Sequence, residues 1–253
     1  MRRVVLPAEH GGWAFLGEPM LLGLLVAPSA AGALLALAAV AAFLTRQPLR
    51  LWAGDRRRGR SYPRTVLAAR VLAVLAALGL AATAGALGLA RGPAWLALVP
   101  AGALGAVAIA ADLSLRSREA LAEIAGALAL TFLATAIALA GSWTTAPAFA
   151  LAAALAARFV PTILFVRARL RLDRGERPSF APSWIAHGLA VAGMGALAGR
   201  ELLPWAAVAV TGLLLLRAAY GLSPWRPRLR TAMLGVTEIA FGLVVVLALA
   251  FGR

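Results

Sequence analysis

The chain has 253 residues, 62% of them apolar and only 14% charged, with a mean hydropathy of +0.86. A soluble globular domain carries about 25% charged residues, so the composition argues against that class and makes the lipid bilayer the expected solvent. All 25 basic residues are arginine and, against ten acids, give a net charge of +15; they stand between apolar runs with few aromatics for base stacking, so no nucleic-acid partner is expected. Zero cysteines exclude disulfides, thiolate catalysis and Cys-ligated metal or iron–sulfur sites.

A hydrocarbon core about 30 Å thick takes roughly 20 apolar helical residues. Division at charged and Pro/Gly breaks gives nine runs, at residues 12–27, 30–44, 66–90, 94–111, 120–140, 146–166, 183–199, 202–216 and 231–251. The first, second, seventh and eighth are short. Their partners follow within a few residues, across Pro28-Ser29 or Arg200-Glu201, which predicts tight helical hairpins. The expected fold class is therefore all-α, a polytopic membrane helical bundle of about nine transmembrane helices forming one domain over 1–253. A secretory leader is not expected, because Glu18-Pro19 interrupts the apolar run that follows Arg2 and Arg3.

Arginine in short loops stays on the cytoplasmic side. Arg2 and Arg3, the loop from Arg46 to Arg64, Arg116 and Arg118, the loop from Arg167 to Arg177, and Arg226, Arg228 and Arg230 all fall on one side of a nine-helix chain. Arg91, Arg200 and Arg253 fall on the other. The N-terminus is thus expected in the cytoplasm and the C-terminus outside.

An internal repeat of helices 1–4 and 5–8 is expected, each half with an Arg-rich loop after its second helix. Arg46 and Arg50, then Asp55, answer to Arg167 and Arg171, then Asp173. The i,i+4 spacing sets two guanidiniums one turn apart on a helix face, and the two pairs together would make a basic cup for an anionic group. Ordinary positive-inside arginine meeting lipid phosphate accounts for others, such as Arg56, Arg57 and Arg58.

An ionisable group at the centre of a span costs about 2.5–3.5 kcal/mol even on permissive insertion scales. Those within the runs include Glu18, Glu123, Arg158, His187 and Glu238. Arg158, nine residues before Arg167, lies about 13 Å deeper along the helix, so it needs a partner, with Glu18, Glu123 and Glu238 available. A structural ion pair and a functional one are both open. The glutamates and His187 fall within about two turns of the cytoplasmic face, which predicts a cavity opening there.

The segment Pro7-Ala8-Glu9-His10-Gly11-Gly12-Trp13, with Glu18-Pro19 in the first run, is unusual for a membrane entry. Glu9 and His10 can move a proton near neutral pH, and free N–H groups at the helix start favour an anion. Trp13 suits an interfacial belt.

With Ala14-Phe15, this N-terminal motif resembles that of the YwiC-like bacterial membrane proteins, and the stretch from Arg118-Glu119 to Ala140-Gly141 is similar as well. The resemblance implies the bacterial cytoplasmic (inner) membrane and no particular reaction. More distantly, nine helices with polar loops after the second and sixth are similar to the UbiA superfamily of intramembrane prenyltransferases. That resemblance implies a UbiA-like bundle, an isoprenoid or lipid substrate, and Mg²⁺ held by two Asp-rich motifs. Here arginines with single aspartates, Asp55 and Asp173, stand where those motifs would be. Mg²⁺ is not favoured, and the cofactor is left open. The expected function is binding of an anionic-headed amphipathic or isoprenoid-type substrate, with Arg46, Arg50, Arg158, Arg167, Arg171 and His187 holding it and Glu9, His10, Glu123 and Glu238 as catalytic candidates. The alternatives are a carrier for a small anion or proton, and a non-catalytic membrane assembly protein.

Overall fold

The computed structural model describes residues 10–114, 120–227 and 230–252. Among them there is no strand, and the helices are α1 His10–Val26, α2 Ala30–Arg57, α3 Pro63–Leu89, α4 Trp95–Leu113, α5 Ala120–Ala140, α6 Thr145–Asp173, α7 Ala181–Ala198, α8 Trp205–Leu222 and α9 Thr231–Phe251. Seven of these, α2 to α6 with α8 and α9, are long and apolar enough to cross a membrane. The chain is therefore a helical, multi-pass protein of the membrane type. At 17 and 18 residues, α1 and α7 rise about 26 and 27 Å.

Helices do not end where hydrophobicity ends. The second run, expected to stop at residue 44, continues as a 28-residue helix to Arg57, and the sixth continues to Asp173 over 29 residues. Arg, Gln, Leu and Ala are good helix formers, so the ladder persists once the chain leaves the apolar layer. These helices rise about 42–44 Å, some 12–14 Å more than a 30 Å core requires. Most of the arginines assigned to loops thus stand on projecting helix ends. The eighth run likewise extends to Leu222, which brings Arg217 inside α8.

Both projecting helices stop in the same way. After α2, Gly59 takes a left-handed φ of 63°; its N–H donates to the Arg56 carbonyl and that of Arg60 to the Asp55 carbonyl. After α6, Gly175 takes φ 82°, with its N–H on Leu172 O and that of Glu176 on Arg171 O. This paired hydrogen bonding is the Schellman ending, for which glycine removes the Cβ clash. Aligned on these turns, Asp55 matches Arg171 rather than Asp173, so the two loops share their helix ending but not the register of their charges.

The chain forms two compact units, Met1–Trp143 and Thr144–Arg253. In the first, α5 is the buried element, with nearly every residue from Thr131 to Ala140 enclosed, and α1, α2 and α4 pack on it while α3 pairs along α2. Close approach explains the small residues. A Cβ on Gly23 would come within 2.9 Å of Ile137 Cδ1, and one on Gly32 within 2.8 Å of its Cγ2. Lipid is as apolar as leucine, so tight van der Waals contact between small-residue faces drives such packing. In the second unit α6 is central and contacts α7, α8 and α9.

All seven tryptophans lie near helix ends or in connections. Helix ends are where interfacial tryptophan belts lie.

Candidate functional site

The deepest polar group lies in the second unit. Arg158 of α6, 2% exposed, donates through Nη1 to Glu238 Oε2 at 3.2 Å and through Nη2 to the Glu238 carbonyl at 2.6 Å. Arg217 of α8 donates through Nη1 to Glu238 Oε1 at 2.6 Å. One carboxylate of α9 thus serves two guanidiniums. Thr162, one turn beyond Arg158, accepts from both, from Arg158 Nη1 and from Arg217 Nη2 at 3.3 Å. The Arg217 guanidinium also lies 4.2 Å from the centre of the Phe165 ring and 5.6 Å from that of Phe241, a cation–π arrangement that compensates lost hydration. Pro161 in the same turn of α6 has no N–H to offer the Ala157 carbonyl, so the backbone ladder is interrupted beside the site.

These residues share a depth. Arg158 stands fifteen residues from Asp173, about 22 Å, of which some 13 Å projects beyond the apolar layer. Glu238 is seven residues into α9, His187 six into α7 and Arg217 five from the end of α8, each about 8–11 Å from its helix end. Four helices therefore deliver polar groups to one level, about 10 Å inside the hydrocarbon. His187 is 1% exposed, its Nδ1 lies 2.8 Å from the Ser183 carbonyl, and both arginines lie within electrostatic reach of it. Two guanidiniums thus share one carboxylate.

The same two-to-one arrangement recurs at the projecting helix ends. In the first unit Asp112 of α4, 2% exposed, accepts from Arg46 Nε at 2.9 Å and Nη2 at 3.2 Å, and from Arg50 Nε at 2.9 Å and Nη2 at 2.5 Å. In the second, Asp173 accepts from Arg169 Nε at 2.7 Å and Arg226 Nε at 3.2 Å. Arg169 is 2% exposed and caps α8 through Nη1 to Gly221 O at 2.8 Å, with Nη2 on Pro227 O. Glu176 lies between Arg171, at 2.6 Å, and Arg174, at 3.1 Å; the Arg171 hydrogen bond, then the charges of both arginines, hold its carboxyl below the ordinary value. Asp55 differs, bonded to Arg64 and Thr65 across the α2–α3 turn.

Set against the sequence reading, Arg158 pairs with Glu238, one of the three glutamates available to it, with His187 beside them. Arg46 and Arg50 do share one helix face and one partner. Arg167 and Arg171 do not repeat that pairing: Arg171 is exposed and bonded to Glu176, and the buried arginine at that helix end is Arg169. The cause is the altered register at the Schellman turn. Glu18 is buried in α1. Glu123 is exposed in the first turn of α5, where a carboxylate complements the helix dipole. Glu9 and the His10 side chain lie outside the described residues. Sequence reasoning missed Arg217, Asp112 and Thr162. Arg217 and Asp112 are single charges directly after an apolar run, and the signal was a helix continuing past it.

Among the described residues no three His, Cys, Asp or Glu side chains gather. The carboxylates near the helix ends, Asp55, Asp112 and Asp173, are each bonded to arginine, so they do not fit the multi-carboxylate Mg²⁺ site that the UbiA resemblance implies.

No curated protein and no solved structure matches the chain. The family model of the YwiC-like proteins matches residues 6–138. The match takes in the Pro7 to Trp13 motif, Glu18, Arg46, Arg50 and Asp112, and stops before Arg158, His187, Arg217 and Glu238. It covers more than half of the sequence, and the chain belongs to the YwiC-like family.

Proposed function

We propose that this membrane protein binds a substrate with an anionic head and an apolar, isoprenoid-type body from the cytoplasmic side of a bacterial inner membrane, and that arginine grips the head directly. The observation that carries the reading is Glu238, 8% exposed and shared by Arg158 and Arg217. A cation inside the hydrocarbon costs about 2.5–3.5 kcal/mol, and an oxyanion beside two guanidiniums that share one carboxylate offsets that cost. Guanidinium forks match phosphate or carboxylate in bidentate hydrogen bonds, which needs no metal. Arg167 and Arg171 at the α6 end would draw the head from the surface. A prenyl transfer of the UbiA kind calls for Mg²⁺ on several carboxylates; the arginine-bound aspartates argue instead for anion capture.

A carrier for a small anion is the second reading, favoured by the depth of the cluster, about 10 Å inside the hydrocarbon. Against it, the outer part of α9, from Leu243 to Phe251, is wholly apolar, whereas a conduit continues polar to both faces.

The test is the heat stability of the detergent-purified protein with a prenyl diphosphate, a quinone or a phospholipid, each with Mg²⁺ and with a chelator. A ligand at a hundredfold its Kd stabilises by about 2.7 kcal/mol. Stabilisation by the prenyl diphosphate that persists in chelator is expected. Stabilisation that requires Mg²⁺ would refute capture by arginine, and uptake of a small anion into vesicles would favour the carrier.

A further inference from the structure

Ser183 Oγ, His187 Nε2 and Arg217 Nε are among the buried polar atoms of the second unit that have no hydrogen-bond partner among the described residues. Ser183 and His187 are each 1% exposed and stand one turn apart on the face of α7 that packs between α6 and α8. A buried polar atom without a partner costs about 1–3 kcal/mol, and three beside one charged cluster call for a common explanation.

The state of His187 supplies it. Its Nδ1 lies 2.8 Å from the Ser183 carbonyl, and a carbonyl only accepts, so Nδ1 carries a hydrogen. A neutral ring then presents a bare lone pair at Nε2, whereas a protonated ring presents a donor there. The charged groups facing His187 are Arg158 from α6 and Arg217 from α8, with Glu238 of α9 bonded to both; α7 has none of its own. An imidazolium beside two guanidiniums is unfavourable without a ligand, and a bound anion offsets it.

We propose that the α6–α9 cluster takes up its oxyanion together with one proton on His187 Nε2, so that the Nε2–H, the Ser183 hydroxyl and the Arg217 Nε–H donate to the same ligand. This rests on the anion-capture reading above and adds the coupling. The ligand class is a phosphate, sulfate or carboxylate oxygen, free or as the head of an amphiphile. The proton comes from solvent and returns there on release; no covalent bond changes in the ligand.

The full-length protein in a non-ionic detergent is titrated by calorimetry with sodium sulfate and, separately, with farnesyl diphosphate, both in chelator. Measurements at about pH 6 and about pH 8 span the range in which imidazole titrates, and two buffers of different ionisation enthalpy count the protons. Binding of sulfate assigns a free-anion site, and binding of the diphosphate alone assigns a headgroup site. Linkage gives the sign: uptake of about one proton makes affinity fall about tenfold per pH unit above the free imidazole's pKa. His187→Gln keeps a donor for the Ser183 carbonyl and abolishes the uptake, whereas Ser183→Ala weakens binding and keeps it. The ligand's own titration is common to wild type and variants and cancels in the comparison. Binding without proton uptake, or uptake that survives in His187→Gln, overturns the coupling and leaves anion capture standing. No binding of either probe at any pH overturns anion capture itself. Should His187→Gln fail to fold, uptake measured on the wild type decides, since sulfate does not titrate in this range.

Discussion

The shared carboxylate makes an asymmetric prediction. Glu238→Leu leaves Arg158 and Arg217 buried without their carboxylate, the situation in which breaking a buried pair costs about 3–5 kcal/mol. Arg217→Met removes the hydrogen bonds to Glu238 at 2.6 Å and to Thr162 at 3.3 Å and the stacking on Phe165 at 4.2 Å. It leaves the Arg158–Glu238 pair in place. The loss of about 1.5–3 kcal/mol from the bonds and 0.5–2 kcal/mol from the stack is offset by removing a desolvated charge, for a net cost of about 1–2 kcal/mol. The two variants should then differ by about 2–3 kcal/mol, or roughly 4–12 °C in melting temperature for a chain of this size. Heating the detergent-purified variants while following fluorescence of the seven tryptophans measures this. If Glu238→Leu melts at or above the temperature of Arg217→Met, the carboxylate does not hold the cluster and the charge argument fails.

Asp112→Asn also strips two arginines of their partner, but the Arg46 and Arg50 side chains are 32% and 24% exposed and reach water, so the melting experiment should show only about 1–2 kcal/mol. Glu201 sits between α7 and α8 at a left-handed φ of 60°, with the hydrogen bonds of a Schellman ending. Glu201→Gly should therefore raise stability by about 0.5–1 kcal/mol, and a fall would show that the glutamate side chain contributes more than its backbone strain costs. A reporter active only in the cytoplasm should work when inserted after Gly59 and fail after Gly92; the reverse pattern, or activity at both, would refute the orientation drawn from the arginines.

What was legible in the sequence was what the bilayer enforces. Apolar runs of about twenty residues located the helices, and the cost of burying Arg158 correctly demanded a partner. Two things were hidden. Helix length past the membrane depends on propensity and on Gly59 and Gly175 at the turns rather than on hydropathy, so the helix was ended at residue 44 when it runs to Arg57, and Asp112 and Arg217 were left at the margins. Partner choice is a tertiary fact: Glu18, Glu123 and Glu238 look alike along the chain, and packing of α9 near α6 and α8 is what brings Glu238 to Arg158 and Arg217. The Arg167/Arg171 spacing satisfied a local rule for sharing a face, yet the side chain that turns inward is Arg169, which bonds the end of α8.

The central claim is that Arg158 and Arg217, which share one carboxylate, are there to receive an anion. Its most direct test is the binding of farnesyl diphosphate in chelator to wild type and to Arg217→Met, a substitution expected to leave the fold intact because Arg158 keeps its pair with Glu238. The account predicts saturable binding to the wild type and its loss, by about tenfold or more for one charge-assisted contact, in the variant. Equal affinity in the two proteins would contradict it and reduce the cluster to a structural tie between α6, α8 and α9.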